Sequence, residues 1–124
     1  MVDENKSNRL RPEDRLRRGQ DFQRVYRRRA SASDRRIIVA TCENGLDHPR
    51  LGLSVSRKVG GAVARNRWKR LIREAFRLSR DQLPPGVDLV VIPRQNVEPN
   101  LADLLESLPR VARRAARRLA KDGT

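Results

Sequence analysis

One cysteine, Cys42, leaves no partner for an intrachain disulfide, and one histidine, His48, leaves no histidine-based metal cluster and no Ser-His-Asp triad with a spare base. Secreted miniproteins and structural zinc modules are thereby excluded. No run of about eighteen apolar residues occurs, and Met1 to Leu10 carries Asp3, Glu4 and Lys6 without an apolar stretch. Neither a membrane span, a membrane partner nor a signal peptide is therefore expected, and a cytoplasmic protein is. Aromatic residues number only four, Phe22, Tyr26, Trp68 and Phe76, so aliphatic packing must dominate the core. Acidic residues are scarce as well: 15 Asp and Glu face 29 Lys and Arg, a formal charge of +14 over 124 residues. A single domain with that excess repels itself unless something anionic shares the charge, which also argues for a monomer when no such partner is present.

The charge is blocked rather than dispersed. Arg9 to Arg36 holds eleven arginines against four acids, and Arg57 to Arg80 holds nine basic residues against Glu74 alone. Asp81 to Pro109 reverses the sign, with Arg94 against five acids, and Arg110 to Lys121 adds six basic residues and no acid. Arginine dominates, and its planar five-donor fork suits phosphate. A nucleic acid is the expected partner; an anionic membrane would call for Trp and Phe on the apolar side of an amphipathic stretch.

Composition and periodicity divide the chain into a disordered tail at residues 1–8, one domain over residues 9–120 and a short tail at 121–124. Asp21 is placed to cap a short helix carrying Phe22, Val25 and Tyr26 at i, i+3 and i+4, opposite Arg24, Arg27 and Arg28. Arg35 to Cys42 is rich in β-branched residues and ends before the turn signals Asn44-Gly45 and His48-Pro49. Leu51 to Ser56 alternates strictly, with Leu51, Leu53 and Val55 on one face and the small Gly52, Ser54 and Ser56 on the other. Gly60-Gly61 breaks the chain before a long helix, Val63 to Arg80. Val87 to Ile92 is a nearly continuous apolar run of strand length, expected to be an interior strand and stopped by Pro93. Asn100 caps a last helix with Leu101, Leu104, Leu105 and Leu108 at helical spacing, and Pro109 is expected to kink or split it. Helices against a small sheet make the fold class α+β.

At about 100° per residue, Trp68, Leu71, Ile72, Ala75, Phe76 and Leu78 share one arc of the long helix and should face the sheet. Arg65, Lys69, Arg70, Arg73, Arg77 and Arg80 fill the adjacent arc with Asn66 among them, while Arg67 borders the apolar stripe. A solvated amphipathic helix mixes signs so that i, i+4 pairs offset repulsion, and this one does not. Its countercharge must come from a ligand. Arg57-Lys58 and the Gly-Gly pair add cations and close-approach backbone at the end of the helix where free N–H groups favour phosphate.

The stretch Leu51 to Phe76, LGLSVSRKVGGAVARNRWKRLIREAF, resembles the protein subunit of bacterial ribonuclease P, with the family's Arg-Asn-Arg motif at Arg65-Asn66-Arg67. The similarity reaches back through RLRRGQDFQRVYRRR and forward through VDLVVIPR. The resemblance implies an αβββαβα sandwich with a four-stranded sheet and a left-handed βαβ crossover around the motif helix. It implies an accessory role without catalytic residues: the RNA subunit, with bound Mg²⁺, removes the 5′ leader of precursor tRNA, and the protein binds both RNAs. By position, Arg57, Lys58, Arg65, Asn66, Arg67, Lys69, Arg70 and Arg73 would contact the RNA subunit. Phe22 and Tyr26 would line a leader cleft floored by Gly52, Ser54 and Ser56, where aromatic stacking and a cationic track suit a single strand of varied sequence.

Two other readings compete. A structural RNA binder of the ribosomal type is equally small and basic. A nuclease acting through its own side chains would need a general base or a carboxylate pair for metal, yet His48 sits alone in a turn, and Glu74, Asp81 and Asp88 have no converging spacing. Cys42, within a strand, is expected to be a small buried hydrophobe.

Overall fold

The protein, seen in a computed structural model, is described over residues 10–122, with side chains through residue 120. The expected tail at residues 1–8 lies outside that range, as do residues 123 and 124. Helix α1 (Gly19–Arg28) leads into β1 (Ala30–Ser33), β2 (Ile37–Glu43) and β3 (Arg50–Leu53); α2 (Ala62–Ser79), β4 (Val87–Pro93) and α3 (Leu101–Asp122) complete the order αβββαβα. The sheet order is β1-β2-β4-β3, antiparallel except for the parallel pair β3 and β4. That parallel pair is joined through α2, so the motif helix is the crossover of a βαβ unit.

Strand alternation sorts the core into two layers. Ile37, Val39, Leu51, Leu89 and Val91 face α2 and α3, together with the buried Trp68, Ile72, Phe76, Leu104, Leu108 and Val111. Ala40, Cys42 and Val90 face the other way, against Leu16 and Val25, with Phe22 packed on them. The sheet is thus sandwiched between α1 on one side and the α2–α3 pair on the other. Full burial of Trp68 or Phe76 is worth roughly 1.5–3 kcal/mol each, which anchors α2 despite its charge.

Several elements depart from what the residues suggested. Strand β1, Ala-Ser-Ala-Ser, has no β-branched signal; it forms because Ala30 and Ala32 are small enough to lie buried beneath α3 while the ladder to β2 satisfies its backbone. Strand β3 stops at Leu53, and the chain turns into a 3-10 segment, Arg57–Val59, capped by Ser56, whose hydroxyl accepts from the Lys58 N–H. Asp21 is no cap: Arg18 holds that position without a side-chain bond, and Asp21 sits in the first turn. Asn100 does cap, its Oδ1 accepting from the Asp103 N–H at 3.1 Å. Helix α3 runs unbroken past Pro109 because Leu104, Leu108, Val111, Ala112, Ala115 and Leu119 all bury on one side, outweighing the single backbone bond proline removes. The apolar arc of α2 packs chiefly on α3. Leu78, at the margin of that arc, is 49% exposed, while Ser79, near its centre, is buried and donates to the Ala75 carbonyl.

Candidate nucleic-acid interface

Strand β3 is an edge strand, and the segment leading into α1 lies along it. The Leu16 N–H donates to the Leu51 carbonyl at 3.0 Å, and Arg15 bridges to Leu51 in parallel sense. Asp14 pins this segment: its buried carboxylate accepts from Arg80 at 2.7 Å and lies 3.2 Å from His48 Nδ1. Between the segment, β3 and α2 opens a cleft of about 430 Å³, lined by Leu10, Arg15, Leu16, Arg17, Phe22, Leu51, Leu53, Lys69 and Arg73.

Four of those residues are cations, and none is an acid. Arg15, Lys69 and Arg73 are half-buried, and the Arg15 Nε is buried with no hydrogen-bond partner among the described residues. Burial first, then the like charge of Arg15, pushes the Arg73 guanidinium below its ordinary value. A guanidinium keeps its proton at neutral pH all the same, so the cost of crowding these cations is relieved by an anion. The Arg65 Nε is in the same state, buried and without a partner among the described residues.

Beyond the cleft the remaining cations of the motif helix face solvent. Arg57 and Lys58 lie exposed on the 3-10 segment, and Gly60, at φ 141°, then Gly61 carry the chain into α2, where Asn66 and Arg70 are exposed. Arg67 stands apart on the other side: its guanidinium lies 3.9 Å from Glu98 and donates to the Pro99 carbonyl at 3.4 Å, across the loop that enters α3.

The expected leader cleft is only partly assembled as read. Phe22 lies in it, but its ring covers Gly52: a Cβ there would stand 2.9 Å from the ring's Cε1 and Cζ and 3.0 Å from Leu16 Cδ1. Gly52 is therefore a seat for Phe22, not an open floor. Ser54, whose N–H donates to the Val91 carbonyl, and Ser56, which caps the 3-10 segment, are not among the lining residues, because β3 ends before them. Tyr26, 44% exposed, lies one turn beyond Phe22 and outside the cleft. Arg15, Arg17, Leu10 and Leu16 were not foreseen as cleft residues; the basic run before α1 was visible, but its pairing with the β3 edge leaves no periodic trace.

Among the described residues no three or more His, Cys, Asp or Glu side chains gather to hold a metal ion, and no helix is long and apolar enough to cross a membrane. Cys42 is buried, and burial pushes its thiol up.

A strongly cationic helix face, with Glu74 alone at its edge, opening into a cationic, aromatic-edged cleft on a four-stranded α+β sandwich, defines a small RNA-binding protein. The family model for ribonuclease P matches residues 10–116, and the chain belongs to that family, the protein component of the endoribonuclease that processes tRNA 5′ ends. The ribonuclease P protein component of Geobacillus kaustophilus is 43% identical over 107 residues, covering 82% of this chain and 85% of the relative. Among solved structures, the ribonuclease P protein of Thermotoga maritima aligns with a TM-score of 0.74 at 35% identity, covering 81% of this chain and 96% of that one. The Staphylococcus aureus protein aligns with a TM-score of 0.71 at 39% identity, over 81% and 93%. These matches favour ribonuclease P over the ribosomal reading.

Proposed function

We propose that the chain acts as a noncatalytic RNA-binding subunit in the cytoplasm, a monomer until it meets RNA. The cationic face of α2 binds the catalytic RNA subunit, and the β3-edge cleft receives the 5′ leader of precursor tRNA. The observation that carries this reading is the set of half-buried cations, Arg15, Lys69 and Arg73, converging without a carboxylate among the described residues. On the RNA-subunit side stand Arg57, Lys58, Arg65, Asn66 and Arg70. Lys69 and Arg73 reach from the same helix into the cleft and so couple the two RNAs. Arg67 contributes mainly by fixing the loop at Glu98 and Pro99, its remaining donors being turned to solvent.

Phe22 presents a ring edge to the leader from its seat on Gly52, and Tyr26 offers an exposed face one turn on. The hydrolysis draws on Mg²⁺ held by the RNA subunit, as the family resemblance implies. The protein's part is electrostatic: by neutralising phosphates of both RNAs it lets them associate at lower Mg²⁺.

Cleavage of a leader-bearing precursor tRNA at low Mg²⁺ tests this, with the protein alone, the RNA subunit alone, and both together. Activity in the mixture alone is expected. Cleavage by the protein alone, or no stimulation of an RNA that is competent at high Mg²⁺, would refute it.

A further inference from the structure

The cleft wall and the cleft floor are tied to one buried carboxylate. Asp88, in β4, is fully buried. Arg50 of β3 donates to it through two nitrogens, Nε to Oδ1 at 2.8 Å and Nη2 to Oδ2 at 2.7 Å. Asn44 donates to Oδ1 at 3.0 Å, and Arg24 of α1 reaches across to Oδ2. Both oxygens are thus saturated, and three separate segments converge on them. Arg50 lies two residues before Gly52 on the same face of β3, and Arg24 lies two residues after Phe22 on α1. The bond from Arg24 to Asp88 ties α1 to β4 at the position paired with Arg50, beside the contact of Phe22 on Gly52 that ties α1 to β3.

We propose that Arg24 is a positioning residue for single-stranded RNA: its bond to Asp88 sets the height of α1 over the sheet and so the aperture of the cleft edged by Phe22. Arg24 itself contacts no phosphate, although by sequence it is one of a run of exposed arginines on α1. Its guanidinium is committed to Asp88 and also lies 3.8 Å from Asp21. Arg24→Ala should still fold, because the Arg24 side chain is 46% exposed and Asp88 keeps Arg50 and Asn44.

This inference rests on the cleft being the leader site, and the test separates the two. Affinities are measured for precursor tRNA with and without a leader, as a function of salt, together with affinity for the RNA subunit. Arg24→Ala should lower the preference for the leader-bearing substrate. The salt slope and the RNA-subunit affinity should not change, and Arg24→Lys should restore part of the preference. A slope shallower by about 0.7–0.9 would make Arg24 a phosphate contact and overturn the proposal. An unchanged preference would overturn it as well. Phe22→Ala, assayed alongside, tells which statement failed: if it lowers the preference and Arg24→Ala does not, only the positioning role is lost. If neither does, the leader assignment falls with it.

Discussion

Two ends of the short strand β3 use arginine in opposite ways. At Arg50 the guanidinium meets a buried carboxylate, Asp88, which Arg24 also engages, so charge holds α1, β3 and β4 together. Along the strand, at Leu51 and Leu53, the neighbouring cations Arg15, Lys69 and Arg73 find no carboxylate among the described residues, and Arg73 is disfavoured by burial and by Arg15. The first group fastens the fold, and the second opposes it until an anion arrives. The same division recurs elsewhere: Arg80 holds Asp14 and Arg110 holds Asp34, whereas Arg57, Lys58 and Arg70 stand exposed to solvent. In the proposed reading, the arginines that meet RNA are those with no carboxylate partner among the described residues.

Removing the carboxylate at the fastened end should have the largest effect. Asp88→Ala leaves Arg24, Arg50 and Asn44 converging on nothing and should cost about 3–5 kcal/mol in denaturant unfolding; a loss below about 1 kcal/mol would erase the contrast between the two ends. Between them lies the Phe22 seat. Gly52→Val drives a branched side chain into the ring and should cost roughly 1–3 kcal/mol while weakening leader binding, checked by unfolding and by competition between leader-bearing and leaderless precursors. At the uncompensated end, Lys69→Ala with Arg73→Ala should leave stability within about 0.5 kcal/mol of the parent or raise it, since it relieves repulsion. RNA affinity for that pair should fall, with a salt slope shallower by roughly 1.4–1.8 if both cations meet phosphate.

The smallest effect concerns a second fastening point. Burial of Asp34 raises its pKa, but hydrogen bonds from Ser107 and from the Ile37 and Arg36 N–H groups, with the charge of Arg110, outweigh it and hold the carboxyl below its usual range. A depressed pKa contributes stability that is fully present above the unfolded value, 3.8, and is lost as pH falls through the folded one. The stability difference between the parent and Asp34→Asn, on the order of 1 kcal/mol, should be flat above about pH 5 and shrink below pH 3.8. A difference that instead persisted in acid would remove the ionised carboxylate from the explanation.

Much of this was legible in the residues, and the exceptions have physical causes. The apolar arc of α2 was visible because its period is strong, the interior strand β4 because its run is almost wholly apolar, and the buried Cys42 because it lies within a strand. Strand β1 was not, because Ala and Ser carry no strand signal and the strand exists by virtue of its partners. The continuity of α3 through Pro109 was hidden because local propensity yields to a long apolar stripe. In the site, the cationic face of α2 followed from its run of cations with Glu74 as the one acid of the helix, at the edge of that face. What counting could not give was which arginines meet carboxylates distant in sequence: Arg24 and Arg50 reach Asp88 across 64 and 38 positions. Nor did the alternation of Leu51 to Ser56 reveal that the strand would end early, or that Phe22 would occupy the space over Gly52.

The most direct test compares the two arginine populations in one experiment, the salt dependence of affinity for the catalytic RNA subunit. Arg57→Ala with Arg70→Ala removes two uncompensated cations and should flatten the slope by roughly 1.4–1.8. Arg36→Ala with Arg110→Ala removes two that hold Asp103, Glu106 and Asp34, and should leave the slope where it was. Equal flattening in both pairs, or none in the first, would contradict the division of the protein's charge into fastenings and interface.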